Sequence, residues 1–139
     1  MTQLLQCVPN FSEGRRPEVM QAIVSAVRMT NGVRLADWSA DTDHNRMVAT
    51  YVGGPEAVSE AAVTACGVAV EQIDLRSHAG VHPRLGALDV LPLVPLSGIT
   101  LAECADYARD LGRDLAKRYN LPVFLYEAAS DVGRSLPSV

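Results

Sequence analysis

The segment His78-Ala79-Gly80-Val81-His82-Pro83-Arg84-Leu85-Gly86-Ala87-Leu88-Asp89-Val90 carries the densest chemistry in this chain. It holds two of the three histidines, four residues apart, with Arg84 and Asp89 close behind. An imidazole takes and gives a proton near neutrality, with an unperturbed pKa of about 6.5. His82 is therefore the candidate acid/base group. Gly80 and Pro83 both oppose a helix, so the segment reads as a shaped loop running into a strand. Polar side chains held on a loop at a strand's edge suit catalysis. A loop histidine that only hydrogen-bonds the backbone fits the same residues. Histidines at i and i+4 converge on a metal only in a helix, so no metal site is expected here.

A second polar group surrounds the third histidine: Asp37, Asp41, Asp43, His44, Asn45 and Arg46. These residues could orient His82 or hold an amino-acid substrate. Arg46 and Arg84 can grip carboxylates in bidentate fashion. The plain alternatives are an Asx-rich turn and solvated surface arginines. Cys7 lies among Leu4, Leu5 and Val8 and reads as core rather than nucleophile. Gly53-Gly54-Pro55 lacks the Lys-Ser/Thr of a phosphate loop and the spacing of a dinucleotide turn.

Short elements must position these groups. Leu4 to Phe11 reads as a strand ending in a turn at Pro9-Asn10. Pro17 opens a helix near 17–29, with Met20, Ile23, Val24 and Val27 at helical spacing and Asn31-Gly32 as its stop. Val33 to Trp38 and Arg46 to Val52 read as strands flanking a polar turn at 41–45. A helix near 56–73 presents Val58, Ala61, Ala62, Ala65, Val68, Ala69 and Ile73 on one broad apolar face. Ala87 to Leu96 is strand-like, although Pro92 and Pro95 oppose full pairing at those points. Thr100-Leu101-Ala102-Glu103 fits a capping box that starts a helix near 101–117, with Leu101, Cys104, Ala105, Ala108, Leu111 and Leu115 buried. Leu121 to Tyr126 reads as a last strand. The order β-α-β-β-α-β-α-β predicts an α+β fold. It is a ferredoxin-like βαββαβ sandwich with an added helix and strand, its mixed sheet covered by helices on one face.

Length and composition bound the functions. The chain has 139 residues, room for one domain. Sixteen acidic and twelve basic residues give a formal charge of −4, which argues against a general nucleic-acid binder. No apolar run approaches the ~20 residues of a membrane span. No secretory signal is visible at Met1-Thr2-Gln3-Leu4. Cys7, Cys66 and Cys104 lack zinc or disulfide spacing and suggest reduced, cytoplasmic thiols.

Three stretches together carry a resemblance. They are Cys7-Val8-Pro9-Asn10-Phe11-Ser12-Glu13-Gly14, Asp43-His44-Asn45-Arg46 with Val52-Gly53, and the block from His78 to Val90. With Leu121 to Glu127 and Leu136-Pro137, they resemble the N-terminal subdomain of glutamate formiminotransferase, in order and over nearly all of residues 1–139. The resemblance implies transfer of a formimidoyl group between N-formimidoyl-L-glutamate and tetrahydrofolate, a step of histidine degradation. It implies a cytoplasmic, homodimeric enzyme that uses folate as co-substrate and no metal. It places the catalytic histidine on His82. Asn10, Asp37, Asp41, Asp43, Asn45, Arg46, His78 and Arg84 are then expected to bind substrate or support His82. The family's folate lies between two subdomains, so a C-terminal transferase subdomain is an expected partner. The chain alone is then expected to be inactive. The competing reading is a stand-alone, non-catalytic folate-binding or interaction module with the same fold.

Overall fold

The structure is a computed structural model and describes residues 2–73 and 88–119. The strands are β1 (Leu4–Cys7), β2 (Asn10–Phe11), β3 (Val33–Asp41), β4 (Arg46–Gly53), β5 (Leu88–Val90) and β6 (Leu93–Ser97). The helices are α1 (Pro17–Arg28), α2 (Pro55–Gln72) and α3 (Leu101–Tyr119).

The expected first strand is interrupted rather than ended. Pro9 has no N–H to give a ladder, and β1 and β2 lie either side of Val8-Pro9. Pairing resumes because the Pro9 carbonyl accepts from the Ala49 amide at 3.2 Å. Pro92 interrupts β5 and β6 in the same way, and its carbonyl accepts from the Val8 amide at 3.1 Å. The two proline breaks therefore sit side by side. Across them, β1 and β2 both pair with β4, while β6 pairs with β1 and β5 with β2. The hairpin partner β3 closes the other side of β4. Every described pairing is antiparallel.

Read across the sheet, the order is β3, β4, β1 with β2, then β6 with β5. Helix α1 joins the first strand line to β3 over the position that β4 fills, and α2 joins β4 to the β5–β6 line. That is the split βαβ arrangement of a ferredoxin-like α+β fold. The added helix is α3, which packs beside α2 and β6. The expected strand at 121–126 lies outside the described residues.

The helices bury one face of the sheet. Leu5, Cys7, Phe11, Met47, Ala49, Tyr51 and Leu93 point into it and are fully or almost fully buried. From above come Ile23, Val24 and Val27 of α1, Val58, Ala61, Ala65 and Ala69 of α2, and Cys104, Ala108, Leu111 and Leu115 of α3. The alanines of α2 let that helix lie close to the strands. Two apolar positions differ from expectation. Leu101, the first residue of α3, is 54% exposed rather than buried. Val68 is only half-buried. Between Arg28 and Val33 the chain turns through Gly32, whose φ of +86° suits glycine.

The three cysteines are buried, as their apolar neighbours suggest. Burial pushes the Cys7 and Cys66 thiols up to about 12, which removes them as nucleophiles near neutrality.

Candidate functional site

One irregularity in β3 decides which residues share a surface. Residues paired across an antiparallel ladder lie on the same face. Leu35 pairs with Tyr51, but Asp37 pairs with Thr50, so Ala36 is an extra residue on the β3 side. This bulge reverses the alternation. Trp38 and Ala40 then pair with the inward Ala49 and Met47, while Asp37, Ser39 and Asp41 pair with the outward Thr50, Val48 and Arg46. Without it, the two aspartates would face the helices. Asn10 pairs with Val48 from the other side and joins the same face, which no described helix covers. Its side-chain amide donates to the Val8 carbonyl at 3.1 Å.

Asn10, Asp37, Asp41 and Arg46 thus occupy one end of that face. Asp43 and Asn45 belong to the turn that closes the β3–β4 hairpin at that end. The next strand begins at Leu88, opposite Phe11. His78, His82 and Arg84 precede it and lie outside the described residues.

The hairpin turn is tied down from both directions. Asp41 accepts the amides of Asp43 at 2.9 Å and His44 at 3.3 Å through one carboxylate oxygen. The His44 ring Nδ1 meets the other oxygen. The His44 ring and amide hold the Asp41 carboxyl below the ordinary carboxylate range. Asn45 takes a φ of +55°, a left-handed conformation that asparagine tolerates better than most residues. In that pose its side-chain oxygen accepts the Gly14 amide at 2.8 Å.

Gly14 is required by space. A Cβ there would lie 2.5 Å from the Arg46 backbone nitrogen and oxygen and 2.6 Å from the Asp41 carbonyl oxygen. Beside it, Arg15 donates from Nε to the Thr42 carbonyl at 2.8 Å and from Nη2 to the Asp43 carbonyl at 3.3 Å. The loop before α1 and the hairpin turn are one packed unit.

Glu13 lies beneath this unit and is only 1% exposed. One carboxylate oxygen accepts the amides of Arg15 at 3.0 Å and Arg16 at 2.9 Å. The other meets Nε of Arg16 at 2.8 Å. Burial alone would raise its pKa; the hydrogen bonds and the guanidinium outweigh burial and hold it below the ordinary value. Glu13 is not among the residues expected from the sequence at this site. The signal was a carboxylate and a glycine just ahead of a proline-started helix, where orphan amides need acceptors.

A separate cleft of about 420 Å³ lies at the far end of the strands, lined by Gln3, Gly32, Gly54, Pro55, Glu56, Ala57 and Tyr107. None of the described site residues borders it. Among the described residues, no group of three or more His, Cys, Asp or Glu is placed to hold a metal ion.

The model of the formiminotransferase domain, N-terminal subdomain, matches residues 4–139. The chain belongs to the formiminotransferase family. Relatives of this subdomain include the formimidoyltransferase-cyclodeaminase of Rattus norvegicus, 48% identical over 141 residues that cover 100% of this chain and 26% of the relative. The glutamate formimidoyltransferase of Streptococcus pyogenes serotype M1 is 40% identical over 127 residues, covering 91% of this chain and 42% of the relative. That of Thermoplasma acidophilum is 41% identical over 133 residues, covering 95% and 44%. The formiminotransferase subdomain described here therefore spans about a quarter of the first relative and less than half of the other two. A solved structure, MupZ from Pseudomonas fluorescens, aligns over 100% of this chain and 94% of its own at 14% identity and a TM-score of 0.44.

Proposed function

We propose that this subdomain forms the acid/base wall of a glutamate formimidoyltransferase, moving a formimidoyl group between N-formimidoyl-L-glutamate and tetrahydrofolate. The observation that carries the reading is the convergence of Asn10, Asp37, Asp41 and Arg46 on the helix-free face. They gather at the end where the chain from His82 joins β5. His82 precedes Leu88 by six positions, a tether of at most about 20 Å.

The chemistry asks for a group of this kind. A secondary amine of tetrahydrofolate attacks the amidine carbon of the donor, a C–N bond forms, and the folate nitrogen gives up a proton. The tetrahedral adduct collapses as its bond to the glutamate nitrogen breaks, and that nitrogen needs a proton to leave. One imidazole can take the first proton and return it in the second step. In this role His82 is the acid/base, and an aspartate of the 37–43 region sets its tautomer. Arg46 and Arg84 suit the donor's carboxylates, while Asn10, Asp43, Asn45 and His78 support substrate or His82. Folate is a co-substrate, and no metal has a part in these steps. The active protein is a cytoplasmic homodimer in which a C-terminal subdomain supplies the opposite wall.

The test is His82→Ala in the longer transferase, with turnover followed on both substrates. A loss of roughly 10²–10⁴-fold with unchanged circular dichroism is expected for removal of an acid/base group. Near wild-type turnover would overturn the role.

A further inference from the structure

We infer that Glu13 is a positioning residue of the proposed site: its buried carboxylate shapes residues 13–16 so that the Gly14 amide reaches Asn45, which fixes the turn carrying Asp41 and Arg46. The inference deepens the proposed function and rests on it only for the claim that this face receives substrate.

The contacts run in one direction. The three described hydrogen bonds to the Glu13 carboxylate come from Arg15 and Arg16, two and three residues on. The chain is thereby curled around the carboxylate, and Gly14 sits at the crest of the curl. From there Gly14 donates to Asn45 at 2.8 Å and accepts from the Thr42 hydroxyl at 3.4 Å. Arg15, held by its own amide, reaches the carbonyls of Thr42 and Asp43. Each described hydrogen bond from this loop to the turn thus starts at residue 14 or 15, the pair enclosed by the carboxylate's bonds. Residue 14 has no room for a side chain, because a Cβ there would meet Arg46 and Asp41 backbone atoms.

A simple helix cap would account for the Arg16 amide, since the carbonyl of Arg16 begins α1 by accepting from Val19 and Met20. It would not account for the Arg15 amide or for the docking of Gly14 against another hairpin. The two roles differ in what they predict. A cap sets the stability of α1; a positioning residue sets the geometry of the turn while α1 stays intact.

The experiment uses the longer transferase and two variants. Glu13→Gln keeps an acceptor for the two amides and loses the charge. Asn45→Gly removes the acceptor of the Gly14 amide at a φ that glycine tolerates. Steady-state kinetics with N-formimidoyl-L-glutamate and tetrahydrofolate are read beside site-resolved amide exchange. Glu13→Gln should raise KM for the formimidoyl donor about tenfold with kcat within about threefold, the pattern of lost ground-state positioning. The Gly14 amide should exchange at least about tenfold faster, with Ile23 and Val24 of α1 unchanged. Exchange that speeds up across α1 and Gly14 together, with KM unmoved, would make Glu13 a cap only and overturn the inference. So would an unchanged Gly14 rate. If Glu13→Gln does not fold, Glu13→Asp is read in its place, and an unmoved KM or an unchanged Gly14 rate there is likewise fatal. If the wild-type enzyme shows no formimidoyl transfer, the proposed function fails, and Gly14 exchange still settles whether Glu13 sets the turn.

Discussion

Glu13 shows how a buried charge links this site to pH. Its folded-state pKa lies below the ordinary 4.5. A carboxylate depressed on folding contributes stability that is fully present above its unfolded value and is lost as pH falls through the folded one. Urea midpoints measured from pH 7 down through this window should therefore fall in the wild type. Glu13→Gln should start lower at pH 7 and show a flatter acid limb. Parallel limbs in the two proteins would mean that Glu13 titrates alike in folded and unfolded chains. Some of this corner was legible in the sequence. The Asx-rich composition of residues 41–45 announces a turn, and Asp41 does cap it through its side chain. The partner of that turn was not legible, because Gly14 and Asn45 are 31 residues apart and only the fold brings them together.

Local signals served the elements best where they were complete within a few residues. The capping box is reciprocal: the Glu103 amide donates to the Thr100 hydroxyl at 3.0 Å, and the Thr100 amide donates to the Glu103 carboxylate at 2.8 Å. Thr100→Ala should cost about 1 kcal/mol, the usual worth of such a cap, read as a lowered denaturation midpoint at unchanged slope. No change would mean that packing of Cys104, Ala105 and Ala108 alone fixes the start of α3. Helical periodicity likewise identified the buried faces of α1 and most of α2, since burial repeats along one chain. The β3 bulge was harder. Its trace is a slip in alternation, with apolar residues at 33, 35 and then 38. That slip is ambiguous until the partner strand shows Asp37 opposite Thr50. The prolines of the first and fourth strand lines were legible as breakers, but not as neighbours that resume pairing, because the resumption depends on carbonyls borrowed across strands.

Among the described residues, helices cover one side of the sheet. On the other, Val94, Gln6 and Val52 form a half-buried row that ends at exposed Arg34, and Leu96 on β6 is 48% exposed. A ligand pocket ordinarily buries most of its ligand between walls, and one sheet face supplies a single wall. The curated transferases are more than twice as long as the part this chain matches. If that further length supplies the second wall, this chain alone should bind tetrahydrofolate at least about 100-fold more weakly than the longer protein, the equivalent of some 2.7 kcal/mol of lost contact. It should show no appreciable formimidoyl transfer. Its open face should also drive concentration-dependent self-association, as unpartnered apolar surface does. Calorimetry with tetrahydrofolate, a turnover assay and sedimentation velocity on both lengths would read these three effects. The outcomes separate cleanly. Weak binding with self-association places the missing wall in the rest of the protein. Strong binding by an associated form would mean that a second copy of this chain can stand in for that wall. A strictly monomeric chain turning over substrate at an ordinary enzymatic rate would refute the two-walled site, and would make this sheet face, with the loop that bears His82, a complete enzyme.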